Sequence, residues 1–139
     1  MKNKTLITGA SGFLGTNLIS ELVKQKQLNI HALIHESNKK HKRFKKVKYI
    51  KCDLTDTKKL VKKIDKDYDL IINLAGNINH QNKTQTYNIH FKGLKNLIKT
   101  VDRKKNNLFI QIGSSLEYGR KRTPHTEIMK CNPLSSYGK

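Results

Sequence analysis

The chain has little of what a secreted or membrane-spanning protein needs. It holds two cysteines, Cys52 and Cys131, in 139 residues. Their separation fits no metal-binding or redox spacing, so no metal centre is expected. Two thiols without a secretion signal point to a reducing, cytoplasmic setting. Met1-Lys2-Asn3-Lys4 runs directly into an apolar strand with no long apolar region before it, which speaks against a signal peptide. No apolar run approaches the length of a membrane-spanning helix, so no membrane partner is expected. Aromatic residues make up 6% and hydrophobic residues 35%, which allows one domain with a lean core.

Acidic residues are scarce as well. There are 10 against 29 basic ones, a net charge of +19. Such a balance fits a nucleic-acid or membrane-surface binder. It also fits residue bias: 25 of the 29 are lysine, and asparagine and isoleucine are abundant too. These three residues rise together in AT-rich coding sequence. The lysines are spread through every segment without interleaved aromatics. Bias is the preferred reading, and no specific nucleic-acid partner is expected. The positive field still attracts anions, nucleotide cofactors and sugar nucleotides among them.

What the chain does have stands at its start. The apolar run Thr5-Leu6-Ile7 leads into Thr8-Gly9-Ala10-Ser11-Gly12-Phe13-Leu14-Gly15, which opens a helical pattern. A strand, a glycine-rich turn and a helix form a phosphate cradle. Gly9 permits the tight turn, Gly12 lets backbone approach a pyrophosphate, and Gly15 lets the helix pack closely on the strand. Three glycines also fit a plain turn.

Five apolar runs read as strands: Lys4–Thr8, Asn29–His35, Val47–Lys51, Leu70–Asn73 and Leu108–Gly113. They are mostly continuous, as in parallel strands covered on both faces. Between them lie three apolar stripes at helical spacing. The first is Phe13, Leu14, Leu18, Leu22 and Val23. The second is Leu60, Val61 and Ile64, with Asp56 or Thr57 as cap. The third is Leu94, Leu97, Ile98 and Val101. Alternating strands and helices predict an α/β fold, a Rossmann-type doubly wound parallel sheet truncated after about five strands. Glu36–Lys46 and Gly119–Pro133 read as irregular segments, and Asn132–Lys139 as the opening of another helix.

The end of the second strand selects the cofactor. An acid there bonds the adenosine ribose of NAD, and a basic cluster accepts the extra phosphate of NADP. Strand register puts the selecting position at Ile34, with His35 beside it and Lys39, Lys40, Lys42 and Arg43 following. This points towards NADP, with Glu36 as the alternative ribose acceptor. Asp53 in Cys52-Asp53-Leu54-Thr55-Asp56 can accept from an adenine amino group. The small residues of Asn73-Leu74-Ala75-Gly76 let backbone pass beneath a cofactor. Ser114 follows the fifth strand, and ligands bind at the carboxyl ends of such strands.

Together TGASGFLG, CDLTD, NLAG, GLKNLI, SSLEYG and PLSSYGK resemble an N-terminal fragment of an extended short-chain dehydrogenase/reductase. The resemblance is to the NAD(P)-dependent epimerase/dehydratase family, which acts mainly on nucleotide sugars, and it spans essentially the whole chain. It implies that backbone around Ser11, Gly12, Phe13 and Leu14 holds the pyrophosphate. Asp53 and Leu54 would flank the adenine, and Leu74, Ala75 and Gly76 would line the nicotinamide-side ribose. Ser114 matches the catalytic serine or threonine and Tyr137 the catalytic tyrosine. Tyr137 would act as general base on a sugar hydroxyl, which requires proton affinity well below the free value of about 10.

Three departures accompany the resemblance. The family lysine one turn after the tyrosine would be residue 141, beyond Lys139, and Lys139 lies on the wrong helical face to replace it. The family asparagine before the fifth strand is matched by His90, with Asn88 nearby. The family's C-terminal substrate domain is absent. The expectation is one incomplete NAD(P)-binding domain over 1–139, inactive alone, with a bare sheet edge. The intact protein would use a nucleotide-sugar substrate and could form a homodimer. Two alternatives remain open: a non-catalytic NADP-binding regulator, and a basic nucleic-acid-binding protein.

Overall fold

Side-chain alternation along the strands sorts the core into two layers. Leu6, Leu33, Ile50 and Ile71 point to one face of the sheet, where Leu60, Ile64, Tyr68, Leu97 and Val101 meet them. Ile7, Ile30, Ala32, Ile34 and Ile72 point to the other, against Ile19. The computed structural model describes residues 3–38, 41–77, 81–101 and 108–139. In chain order these form β1 (Asn3–Thr8), α1 (Phe13–Leu22), β2 (Leu28–Ile34), β3 (Val47–Lys51), α2 (Thr57–Lys63) and β4 (Leu70–Asn73). Then follow α3 (Lys83–Tyr87), a π-helical turn (Asn88–Gly93), α4 (Leu94–Thr100), β5 (Leu108–Gln111) and a 3₁₀ turn (Ser115–Tyr118).

All neighbouring strands run parallel, in the order β3-β2-β1-β4-β5. The chain moves outward from β1 in one direction through β2 and β3, then returns to the far side for β4 and β5. The order therefore reverses between β1 and β4, and the crevice above their carboxyl ends is where ligands bind in such sheets. Register brings Leu33, Thr8, Asn73 and Gln111 into one row there.

The five strands agree with the sequence reading to within two residues at any end, and Asp56 is the cap of α2, accepting from the Lys59 N–H at 3.0 Å. Two apolar stripes need correction. Phe13 and Leu14 begin α1 on its exposed side, with Phe13 84% exposed; the buried residues are Gly15 and Ile19. Val61 is likewise exposed, while Leu60 and Ile64 are buried. β5 is an edge strand of the described sheet, and Leu108, Ile110 and the following Ile112 are exposed. Both cysteines are free, Cys52 buried and Cys131 exposed. No helix among the described residues is long and apolar enough to cross a membrane.

One buried polar cluster lies apart from the carboxyl edge. His31, in β2, sits 3.1 Å from the Tyr68 hydroxyl and 3.6 Å from Asp65, whose other neighbour is Lys4 at 2.9 Å. Burial lowers the His31 imidazole below its ordinary 6.5, Lys48 and Lys4 push the same way, and Asp65 opposes them. Burial also pushes the Tyr68 phenol up to about 12. The unfolded chain therefore binds a proton at His31 more readily than the folded one. Stability is full above pH 6.5 and falls as pH drops from 6.5 towards the lowered folded value. Urea denaturation between pH 7.5 and 5.5 measures this slope, and His31→Gln should flatten it. An unchanged slope in that variant would assign the effect elsewhere.

Candidate functional site

The glycine turn between β1 and α1 is built by close backbone approach. Gly9 has φ +63°, and a Cβ there would lie 2.5 Å from both the carbonyl carbon and oxygen of Leu74. A Cβ on Gly15 would strike the Gly9 carbonyl and sit 2.7 Å from Ala10 Cα. The turn is fixed by Gly12 N–H donating to Gly9 C=O at 3.0 Å and Ala10 N–H to Leu33 C=O at 3.2 Å. Gly12 precedes α1 in extended backbone; no side chain caps the helix and its first turn holds no acid. The first amides of a helix have no intrahelical acceptor, so this end presents N–H groups and a positive dipole end. Ser11 lies beside them, its Oγ accepting from Asn38 Nδ2 at 2.7 Å. These residues fit a dinucleotide pyrophosphate: glycine at 9 and 15 lets the turn pack directly on Leu74, Ala75 and Ala10 backbone, and among the described residues no side chain caps the helix end and no acid stands in its first turn.

At the ends of β2 and β3 the structure brings His35 and Asp53 together. His35 Nδ1 accepts from the Ser37 N–H at 3.2 Å, leaving Nε2 to face Asp53 Oδ2 at 3.4 Å. Desolvation pushes the Asp53 carboxyl upward, but the Thr55 N–H and hydroxyl, each at 2.8 Å, and His35 outweigh it and hold it below its ordinary value. Glu36, the alternative ribose acceptor, is bound by Lys63 and Lys59 of α2, both at 3.3 Å, which lower its carboxyl. Leu54 has its side chain in the core and its carbonyl bonded by Asn96 Nδ2 at 2.9 Å. Ile34 is also fully buried. Lys42 lies over the Phe44 ring and Arg43 over Tyr49. Lys39 and Lys40 lie outside the described residues.

At the centre of the crevice a directional chain of hydrogen bonds crosses three strands. Ala75 N–H donates to Thr8 Oγ1 at 3.3 Å, and the Thr8 hydroxyl donates to Asn73 Oδ1. Asn73 Nδ2 donates to Gln111 Oε1 at 2.7 Å, and Gln111 Nε2 to Ile112 C=O at 2.8 Å. This chain fixes the Leu74–Gly76 backbone over the switch point, with Leu74 against Gly9 as described.

Ser114 and Tyr137 line one cleft of about 900 Å³, with His90, Gln111, Glu117 and Lys139 among its other walls. Ser114 caps the 3₁₀ turn: its Oγ accepts from Leu116 N–H at 3.2 Å, and its own N–H donates to Glu117 Oε1 at 2.8 Å. The hydroxyl proton remains able to donate into the cleft. The segment carrying Tyr137 is tied back to this turn by Asn132 N–H donating to Glu117 C=O at 3.0 Å. Residues 136–138 form a turn, and Lys139 N–H donates to Ser135 C=O at 3.2 Å, the first helical-type bond of the segment.

The model of the NAD dependent epimerase/dehydratase family matches residues 5–139. The chain belongs to this family. Solved structures agree on the fold. UDP-glucose 4-epimerase matches with a TM-score of 0.82 at 23% identity, over 98% of this chain and 43% of that one. The Bordetella bronchiseptica enzyme WbmG, solved in complex with NAD, matches with 0.79 at 22% identity, over 99% and 46%. The UDP-glucuronic acid 4-epimerase of Bacillus cereus, also in complex with NAD, matches with 0.74 at 25% identity, over 97% and 47%. This epimerase/dehydratase-family chain thus has the Rossmann-type sheet and spans less than half the length of each. No curated protein matches its sequence.

Reasoning from sequence named the cradle, His35, Asp53, Ser114 and Tyr137, but gave no role to Thr8, Gln111 or the α2 lysines. Only Thr8 carried a readable signal, being the last residue of β1 immediately before Gly9.

Proposed function

We propose that this family member is the dinucleotide-binding part of an NAD(P)-dependent enzyme acting on a nucleotide sugar, as an epimerase, dehydratase or 4-keto reductase. One observation carries the reading: Ser114 and Tyr137 line a single cleft at the carboxyl edge of the sheet, close to the β4 loop that backs the glycine cradle. The nucleotide-sugar class is supported by the UDP-sugar epimerases among the fold's neighbours. When bound, the dinucleotide supplies a nicotinamide that takes or returns hydride. The chain's own residues do the rest. The amides at the start of α1 hold pyrophosphate oxygens, and Asp53 bonds the adenine amino group. Leu74, Ala75 and Gly76 form the floor beneath the nicotinamide-side ribose. The Ser114 hydroxyl orients a substrate oxygen, and the Tyr137 phenol oxygen exchanges the proton there.

The reading extends to NADP over NAD. Glu36 is engaged by Lys59 and Lys63, so the carboxylate nearest the end of β2 is already neutralised, and Lys42 and Arg43 stand in the same loop. Titrating the purified 139-residue chain with NADPH and NADH, followed by nicotinamide fluorescence, tests both parts. Both should bind, NADPH more tightly by about fivefold, a difference on the order of 1 kcal/mol. Equal affinities would remove the NADP preference alone. Binding of neither at millimolar concentration would sink the dinucleotide reading.

A further inference from the structure

His90 stands on the π-helical turn between two parts of the candidate site that come from distant segments. On one side its Nε2 accepts the Asn77 backbone N–H at 3.0 Å, with the Asn77 carbonyl oxygen 3.4 Å away. That bond puts the proton of a neutral ring on Nδ1. Its Cε1 lies 2.9 Å from where a Cβ on Gly76 would be, so the imidazole occupies the space that the glycine leaves. On the other side the ring meets Tyr137 edge to face, with centroids 4.9 Å apart and planes at 79°. The turn itself spans Asn88–Gly93 between α3 and α4. Such wide turns are uncommon inside helices and are frequent at functional sites.

We propose that His90 is a positioning residue that couples the Leu74–Asn77 loop to Tyr137, so that a ligand seated on the loop sets the orientation of the Tyr137 phenol. The coupling rests on the dinucleotide reading of that loop. Its physical basis is the rigidity of the imidazole. One flat ring is anchored to loop backbone by a nitrogen and presses on the tyrosine, so the loop cannot shift without displacing the ring, or the ring without displacing Tyr137. Between the two neighbours on this turn, it is the His90 ring that meets Tyr137; Asn88 contributes to the wall of the same cleft.

The test uses the full chain with ¹³C-labelled tyrosine rings, Tyr137 being assigned with Tyr137→Phe. NADH binding is followed by nicotinamide fluorescence and, in parallel, by the ring signals. In the wild type, NADH should shift the Tyr137 signals. In His90→Ala, at NADH concentrations that saturate the variant by nicotinamide fluorescence, the Tyr137 response should be lost. His90→Asn keeps an acceptor for the Asn77 N–H but has no ring. It should retain slow exchange of the Asn77 amide and still lose the response, and it carries the test alone if His90→Ala does not fold. A wild-type response in either variant overturns the coupling. If NADH does not bind the wild type, the dinucleotide reading fails separately. The placement of His90 is then decided on the unliganded spectra, where unmoved Tyr137 signals in His90→Ala overturn it and shifted ones uphold it.

Discussion

Replacing Gly9 with valine should destabilise the fold by about 2–5 kcal/mol and abolish NADH binding. The backbone at Gly9 sits at φ +63°, a region that costs an L-residue about 1–2 kcal/mol and a β-branched one more. The Cβ would also lie 2.5 Å from Leu74 C and O and 2.7 Å from Ala75 N. These are backbone atoms at the end of β4, so no rotamer change relieves the overlap. Either the β1–α1 turn or the β4 loop must move, and overpacking of this kind costs about 1–3 kcal/mol. Both halves of the candidate site share this contact, so cradle and floor shift together. Gly12→Ala gives the contrast. Its Cβ would meet only the Gly9 carbonyl oxygen, at 3.2 Å, so the fold should lose less than about 1 kcal/mol. The methyl would nonetheless stand where an anion must approach the helix amides, and NADH affinity should drop. Urea denaturation and nicotinamide fluorescence on both variants separate the two effects. A Gly9→Val chain with near wild-type stability would show that the turn is looser than its geometry implies.

The same features explain which parts of the molecule were legible in the sequence. Strands buried on both faces announce themselves as short apolar runs, so β1, β2 and β4 could be read directly, while the edge strands β3 and β5 are apolar runs with exposed positions. α3 could not. Lys83–Tyr87 has no apolar stripe; it is started by Asn82, whose side chain accepts the Gln85 N–H at 2.9 Å, and it continues into a turn whose wider pitch breaks the 3.6-residue period. In α1 the buried residues are Gly15, packed on the Gly9–Ala10 turn, and Ile19, so a reading by apolarity alone credits Phe13 and Leu14 with burial that they do not have. The site divides along the same line. The glycine cradle, Ser114 and Tyr137 are local motifs at fixed spacing. Partners supplied by tertiary approach leave no such mark. Lys59 and Lys63 reach Glu36 from 23 and 27 residues away, and His90 meets Gly76 and Tyr137 only once three segments have packed.

The second large effect is expected at Asn73. This residue is 3% exposed, and its amide joins β1 to β5 across β4 through the Thr8 hydroxyl and Gln111 Oε1. Asn73→Ala leaves the fully buried Thr8 hydroxyl without its acceptor and the Gln111 carbonyl without its donor. Each orphaned group costs about 1–3 kcal/mol when water cannot replace the partner. Thr8 pays in full, being completely enclosed, whereas Gln111 is exposed and can turn to solvent. The expected loss is therefore about 2–3 kcal/mol. It should not be uniform. β5 is an edge strand with exposed apolar side chains, so its attachment rests heavily on its ladder with β4 and on this side-chain bridge. Hydrogen exchange at Leu108–Gln111 should accelerate more than exchange in β1 and β2. Thr8→Val offers a check from the other end of the chain of bonds, since it removes the acceptor of the Ala75 N–H and the donor to Asn73 Oδ1 while leaving the Asn73–Gln111 bond in place. Equal acceleration throughout the sheet in Asn73→Ala would mean that the bridge contributes only to global stability. Selective acceleration in β5 would tie the strand that delivers Ser114 to the strand end that opens the glycine cradle, making the two halves of the candidate site one mechanical unit.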